Sequence, residues 1–403
     1  MTLRSIPWHL PPGTVRLAGG LACLGVAALA VLEAPSWWLF VLALGATEGG
    51  HILALAALGF AAPLGRPSRG GRVGVFGLAA ALLALSPMIR AARYAASVPA
   101  RLEAAFGPAT PGMARQAPLT AADLVRGAPA SGFRQSTVIY RIVDGVELPL
   151  ELYRPADDRP PAPCVVVFHA GAWQSGSRLD CQALSRYLAV RGYVVASVDY
   201  RLLPTYRFPA PQEDAAAALA YLQAHAGELG IDPQRFVLVG RSAGGHIALL
   251  HAYTAHDPTI RGVIALYPPV DMYLGHTYPC RPQILDCHAL GEQYLGGKPY
   301  QVPATYAAAT VTNHIGPDTP PTLLIHGSRD EVVDAIHSRI LAAQLARAGR
   351  PHLLLELPWA THGMDYIFNG PGGQISTYAI EWFLASVVGE SDSVRSASTA
   401  CCS

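Results

Sequence analysis

Between residues 137 and 357 short β-rich runs alternate with stretches of helical length, and this alternation constrains the chain more than any other feature. The runs are Thr137–Ile142, Leu148–Tyr153, Cys164–His169, Tyr193–Asp199, Phe236–Gly240, Gly262–Tyr267, Thr322–His326 and His352–Leu357. Ala- and Leu-rich stretches such as Leu184–Arg191 and Gln212–Ala226 separate most of the later ones. Strands interleaved with helices predict an α/β fold, a mostly parallel eight-stranded sheet flanked by helices. The first two runs read as an antiparallel hairpin at its edge.

Upstream the texture differs. Leu17–Leu32, Ser36–Phe60 and Val73–Ile89 are runs of apolar and small residues. A bilayer core of ~30 Å takes about 20 apolar residues as a helix, with ~17 a workable minimum. The expectation is a helical transmembrane region over residues 1–92 with about three spans, near 17–32, 36–60 and 73–89. A cleaved signal peptide for the first run and a soluble helical bundle are the rival readings. Arg4, Arg16, Arg66, Arg69 and Arg72 outnumber Arg90, Arg93 and Arg101, so three spans would put the N-terminus in the cytoplasm. The remainder, including the catalytic domain, would then be extracytoplasmic. Glu48 and His51 lie three apart in the second run, on one helical face; a helix–helix hydrogen bond is expected there rather than half of a carboxylate metal motif.

Of the 403 residues, 51% are hydrophobic and 14% charged, against roughly 25% charged in ordinary soluble chains. The formal net charge of +1 gives no reason to expect a nucleic-acid partner. Seven cysteines form no C-x-x-C pair and no zinc pattern, so no metal is expected. Cys280 and Cys287 read equally as a bridged pair or as free thiols. Residues 93–133, rich in Ala, Pro and Arg, read as a linker with a cap helix. Residues 134–388 read as the catalytic domain with a cap insertion at 271–320, and 389–403 as a disordered tail.

The chemistry centres on Gly240-Arg-Ser-Ala-Gly244, which follows the run Phe236–Val239 and precedes the helical stretch Gly245–Tyr253. That is the strand–turn–helix context of a nucleophile elbow, in which Ser242 sits at a tight turn and small residues two before and two after avoid collision. A serine hydroxyl needs a base, and the base needs an orienting carboxylate. Asp330 follows the run ending at His326, and His362 follows the last strand. The order Ser242, Asp330, His362 is that of the α/β hydrolases; Glu331 is the rival for the acid. After the third run comes His169-Ala-Gly-Ala-Trp173, where an oxyanion loop belongs.

These motifs, with Asp199-Tyr-Arg-Leu202, Phe208-Pro-Ala210, Glu213-Asp-Ala215 and His362-Gly363, resemble the hormone-sensitive-lipase-like and acetyl-esterase branch of the α/β-hydrolase serine esterases over roughly residues 135–388. The resemblance implies a carboxylic ester hydrolase without cofactor. By position it implies oxyanion donors at the backbone N–H groups of Gly171, Ala172 and Ala243, supported by His169, Gly240 and Gly244. Ala170 and Ala172 stand where that branch often has glycine. The membrane runs lie outside its usual soluble form, although the isoprenylcysteine methylesterases combine the two.

The expected function is that of a membrane-anchored serine carboxylesterase. It would act on small-molecule or lipid esters of short to medium acyl chains through a Ser–His–Asp acyl-enzyme mechanism, in contact with the bilayer. The alternatives are an acyltransferase or deacylase on a lipid or glycan, a peptidase related to the prolyl oligopeptidases, and a non-catalytic membrane adaptor on a hydrolase scaffold.

Overall fold

The computed structural model describes residues 12–61, 71–108, 113–157, 161–278 and 280–389. Eight strands form one sheet: β1 (Phe133–Val143), β2 (Val146–Pro155), β3 (Ala162–Phe168), β4 (Val194–Val198), β5 (Ile231–Arg241), β6 (Ile260–Leu266), β7 (Thr322–Gly327) and β8 (His352–Leu357). Their order is β1-β2-β4-β3-β5-β6-β7-β8. β1 pairs β2 antiparallel as an edge hairpin, β2 pairs β4 antiparallel, and the remaining pairs are parallel. Each run expected from the sequence is one of these strands.

The helices in chain order are α1 (Pro12–Ala28), α2 (Trp37–Glu48), α3 (Gly50–Ala61), α4 (Gly71–Ala95), α5 (Val98–Phe106), α6 (Gln182–Val190) and α7 (Ala210–Ala224). They continue with α8 (Ala226–Leu229), α9 (Ala243–Thr254), α10 (Met272–Thr277), α11 (Cys287–Leu295), α12 (Pro303–Ala309), α13 (Ile336–Arg347) and α14 (Pro371–Val388).

Alternate side chains of a strand point to opposite faces, and here both faces are covered. Cys164, Val166, Phe168, Phe236 and Leu238 pack with α7, α9 and α13 on one side. Val165, Val167, Val237 and Val239 pack with α5, α6 and α14 on the other. The near-continuous Val/Ile/Leu runs of β3 to β7 follow from burial on both faces.

The N-terminal region departs from expectation. Among the described residues one helix, over Gly74–Ala95, is long and apolar enough to cross a membrane, and α1 is too short. The run 36–60 is two helices meeting at 90° around Gly49. Sharp kinks are commonly made at such small, flexible residues. Without Cβ, Gly50 also lies against α4, where an added Cβ would come within 2.1 Å of the Ala84 carbonyl oxygen. Three spans are therefore not supported; the bent pair adds at most one broken span. The orientation argument loses its basis with that count, and Arg4, Arg66 and Arg69 lie outside the described residues, as do residues 390–403 of the expected tail.

Two boundaries also shift. α4 continues past residue 92, and its Ala91 and Ala95 belong to the core beneath the sheet. The described residues of 93–133 pack away from the site. α5 packs on α14 through Phe106 and Phe383, with ring centroids 4.8 Å apart, and the Ala114 and Thr120 amides donate to Glu381 and Gln374 of the same helix.

Candidate active site

The centre of the site is the turn from β5 into α9. Ser242 has φ 52°, ψ −119°, a conformation in which a side chain is strained. The turn is crowded on both sides. A Cβ on Gly240 would come within 2.0 Å of the Gly244 carbonyl oxygen, and one on Gly244 within 2.2 Å of the Phe168 carbonyl oxygen. The backbone itself thus excludes any side chain at these two positions.

Ser242 Oγ lies 3.0 Å from His362 Nε2, and His362 Nδ1 lies 2.7 Å from Asp330 Oδ2. The three residues come from loops following β5, β8 and β7, at the C-terminal edge of the sheet where open α/β folds place their sites. Asp330 is buried and richly bonded. Its Oδ1 accepts from the Val332 and Val333 amides at 2.9 and 2.8 Å, and its Oδ2 also faces His326 Nε2 at 3.2 Å. Burial alone raises the pKa of such a carboxyl, but attraction to His362 and the hydrogen bonds from His326 and His362 outweigh it and hold it well below the usual carboxylate range. Glu331, the rival acid, turns elsewhere: it accepts from the Ala34 amide at 2.9 Å and faces Arg281.

The loop after β3 flanks the serine. Gly171, Ala172 and Trp173 have φ of 128°, 55° and 57°, so two non-glycine residues hold the left-handed conformation that glycine adopts without strain. Gly171 and Ala172 line the same cleft as Ser242 and His362. Ala243 is the first residue of α9, whose N-terminus abuts the serine. His169 is buried behind the loop, stacked 4.2 Å from the Tyr200 ring. Its Nδ1 lies 2.6 Å from the Ala170 carbonyl, and Tyr200 Oη donates to the His169 carbonyl at 2.9 Å. It braces the loop from behind and lines neither cavity beside Ser242.

Several neighbours escape sequence reasoning. Arg241, inside the elbow, pairs with Asp365, and Tyr267 Oη donates to the same carboxylate at 2.6 Å. This ties the serine turn to the histidine loop, and the Tyr267 ring lies 4.3 Å from that of His362. A charged residue inside the elbow and an acid three after His362 are the available signals, and neither marks a partner. His326 reads as the end of a strand, yet it braces Asp330. Glu48 is seen as a charge in an apolar run, expected to make a helix–helix hydrogen bond, but nothing in the sequence names its partner. It accepts from the Gly372 amide at 2.6 Å and Trp359 Nε1 at 3.3 Å, docking α2 on the catalytic domain.

Two cavities open beside Ser242. One, of about 90 Å³, lies under the insertion formed by α10, α11 and α12 and is lined by Ala172, Trp173, Met272, Leu290, Tyr306 and His337. Burial pushes His337 down to about 3, so it stands neutral. Cys280 and Cys287 also line this cavity and are free thiols. The other, of about 620 Å³, runs between the loop after β3 and α2. No described residue of 93–133 lines either one. Among the described residues no cluster of His, Cys, Asp and Glu is arranged to hold a metal ion.

Several solved esterase structures are similar to this chain. The thermophilic esterase Est2 of Thermogutta terrifontis is 26% identical with a TM-score of 0.52, over 64% of this chain and 93% of that one. This chain has the α/β-hydrolase fold. Est2 has also been solved with butyrate bound, in a structure 29% identical over 63% of this chain and 92% of that one, with a TM-score of 0.50. Residues 150–345 match the BD-FAE family. In sequence the chain is 31% identical to esterase LipC of Mycobacterium tuberculosis, over 56% of this chain and 59% of LipC. It is 29% identical to the probable carboxylic ester hydrolase LipM of the same organism, over 56% of this chain and 54% of LipM. The chain thus spans less than two thirds of the length of these two relatives.

Proposed function

We propose that the chain is a membrane-associated serine carboxylesterase that uses Ser242, His362 and Asp330. The observation that carries this reading is the pair of contacts, 3.0 Å from serine to histidine and 2.7 Å from histidine to aspartate, at the mouth of an apolar cleft. Ser242 Oγ attacks the ester carbonyl as His362 Nε2 takes its proton. Asp330 holds the Nδ1–H tautomer and balances the imidazolium. The backbone N–H groups of Gly171, Ala172 and Ala243 receive the oxyanion, each worth roughly 3 kcal/mol in the transition state. His362 then protonates the leaving alcohol, and water cleaves the acyl-enzyme by the same steps.

Esterase names among the relatives support the reaction class, and the butyrate-bound form of Est2 supports short acyl groups. The cap-side cavity, about 90 Å³, is the smaller of the two beside Ser242, which suits a short acyl chain. Membrane association is supported by α4 and by the apolar exterior of the N-terminal helices.

The test is hydrolysis of p-nitrophenyl esters from acetyl to palmitoyl by the wild type and Ser242→Ala. Activity should peak at short chains and fall at least about ten-thousand-fold in the variant, with the fold intact. Retained hydrolysis in Ser242→Ala would overturn the assignment.

A further inference from the structure

One wall of the larger cleft does not come from the catalytic domain. Trp37, Phe40, Val41 and Leu44 of α2 line the cavity that holds Ser242 and His362. Their spacing places them on one helical face. The helix is fixed there along its length. The Trp37 amide donates to the Gln283 carbonyl at 3.2 Å, and Glu48 docks on Gly372 and Trp359 at the far end. Just before α2, Arg329 Nη2 donates to the Leu32 carbonyl at 2.8 Å, and the Ala34 amide donates to Glu331. Arg329 and Glu331 flank Asp330, so the loop carrying the acid also grips the N-terminal segment. A passive tether requires none of these contacts.

The two cavities divide the ester. His362 lines the α2 cleft and not the cap-side cavity. When the tetrahedral intermediate collapses, the C–O bond to the alcohol breaks and the alkoxide takes from His362 Nε2 the proton that Ser242 gave up. The alcohol part therefore occupies the cleft against α2, and the acyl part the small cavity.

The surface leading into that cleft is apolar. Trp37 and Val41 at its lip are 46% and 44% exposed, and Trp38 and Leu42 continue outward at 77% and 46%. Ile52 and Leu55 of α3 and Leu78 and Leu82 of α4 are exposed too, while the fully buried centre of this bundle is Ala27, Ala54, Ala57, Ala80, Ala81 and Ala84, with Leu24, Leu53, Leu83 and Leu85 half-buried around it. Large apolar side chains outside and small ones inside is the arrangement of helices packed in lipid, and as a water-exposed patch it would be unusual.

We propose that the substrate is a short-chain acyl ester of a lipophilic alcohol, and that the alcohol's hydrocarbon enters from the bilayer along the Trp37–Leu44 face of α2. This rests on the esterase reading, and the test separates the two. The full chain is reconstituted in phosphatidylcholine vesicles, and acid release is followed from two series, ethyl to hexyl acetate and ethyl acetate to ethyl hexanoate. The kcat/KM is expected to rise at least about tenfold along the alcohol series, from burial of successive methylenes, and not along the acyl series. Val41→Asn should reduce that gain at least about fivefold, and Val41→Leu should retain it.

A flat alcohol series, or a gain indifferent to Val41→Asn, overturns the role of α2. A gain along the acyl series that Val41→Asn abolishes reverses the assignment of the two cavities. In either case Ser242-dependent cleavage of ethyl acetate leaves the esterase reading standing, whereas no Ser242-dependent release from any ester overturns both. Hexadecyl acetate dissolved in the enzyme's own vesicles should be cleaved at least about tenfold faster than the same ester held in separate vesicles. Equal rates would overturn entry from the bilayer.

Discussion

The sheet and the N-terminal bundle are packed on opposite plans. Val165, Val166, Leu238, Ile264 and Leu324 fill the sheet core, whereas the bundle closes on alanines and sends Ile52, Leu55, Leu78 and Leu82 outward. In water, burial of large apolar side chains drives packing. In lipid that gain vanishes, and close backbone approach through small residues takes its place. The comparison teaches that the two regions pack by different rules, and it supports the proposed membrane association. It also teaches that they are not independent, since α2 and the end of α4 cross from one plan to the other.

The catalytic domain spends its packing on holding a polar network dry, so the largest effect should come from removing one charge inside it. Asp330→Asn is expected to lower kcat by about ten-thousand-fold with near-native stability, because the amide favours the wrong imidazole tautomer; steady-state kinetics and circular dichroism check both halves. Next comes the sheet core. Leu324→Ala, at a fully buried position, should cost about 2–5 kcal/mol in denaturant unfolding.

The bundle should respond in the reverse sense. Ala57→Leu, at an alanine with no exposure, should cost about 1–3 kcal/mol by overpacking, seen as a lower thermal midpoint in detergent. The smallest effect belongs to its exterior. Leu82→Ala, 63% exposed, should stay within about 0.5 kcal/mol in the same assay. A loss at Leu82 as large as that at Leu324 would break the comparison, because it would mean that the bundle buries its large side chains as a water-soluble core does.

Much of the catalytic domain is legible in the sequence for physical reasons. A strand buried on both faces must be apolar along its length, and the crossovers between parallel strands must be long enough to carry helices. The runs of β3 to β7 could be read in this way, and the spacing of all eight runs located the loops bearing Ser242, Asp330 and His362. The glycines beside Ser242 are legible too, because the elbow leaves no room for a Cβ.

The N-terminal region was less legible. In the run 36–60 nearly every position is apolar, so neither the break at Gly49 nor the cleft-lining face of α2 stands out from its surroundings. The linker 93–133 carries helix signals in α5, but nothing in its residues says which side of the sheet it covers.

The sequence by itself determined the order of strands and helices and the three loops from which the candidate triad comes, because those depend on local period and on backbone space. Tertiary structure alone decided what meets across long separations. It joined Glu48 of α2 to Gly372 of α14, and took Glu331 from the histidine to Ala34. It also set a helix of the apolar N-terminal region as a wall of the catalytic cleft. A side chain's partner follows from the path of the whole chain, which no local pattern records.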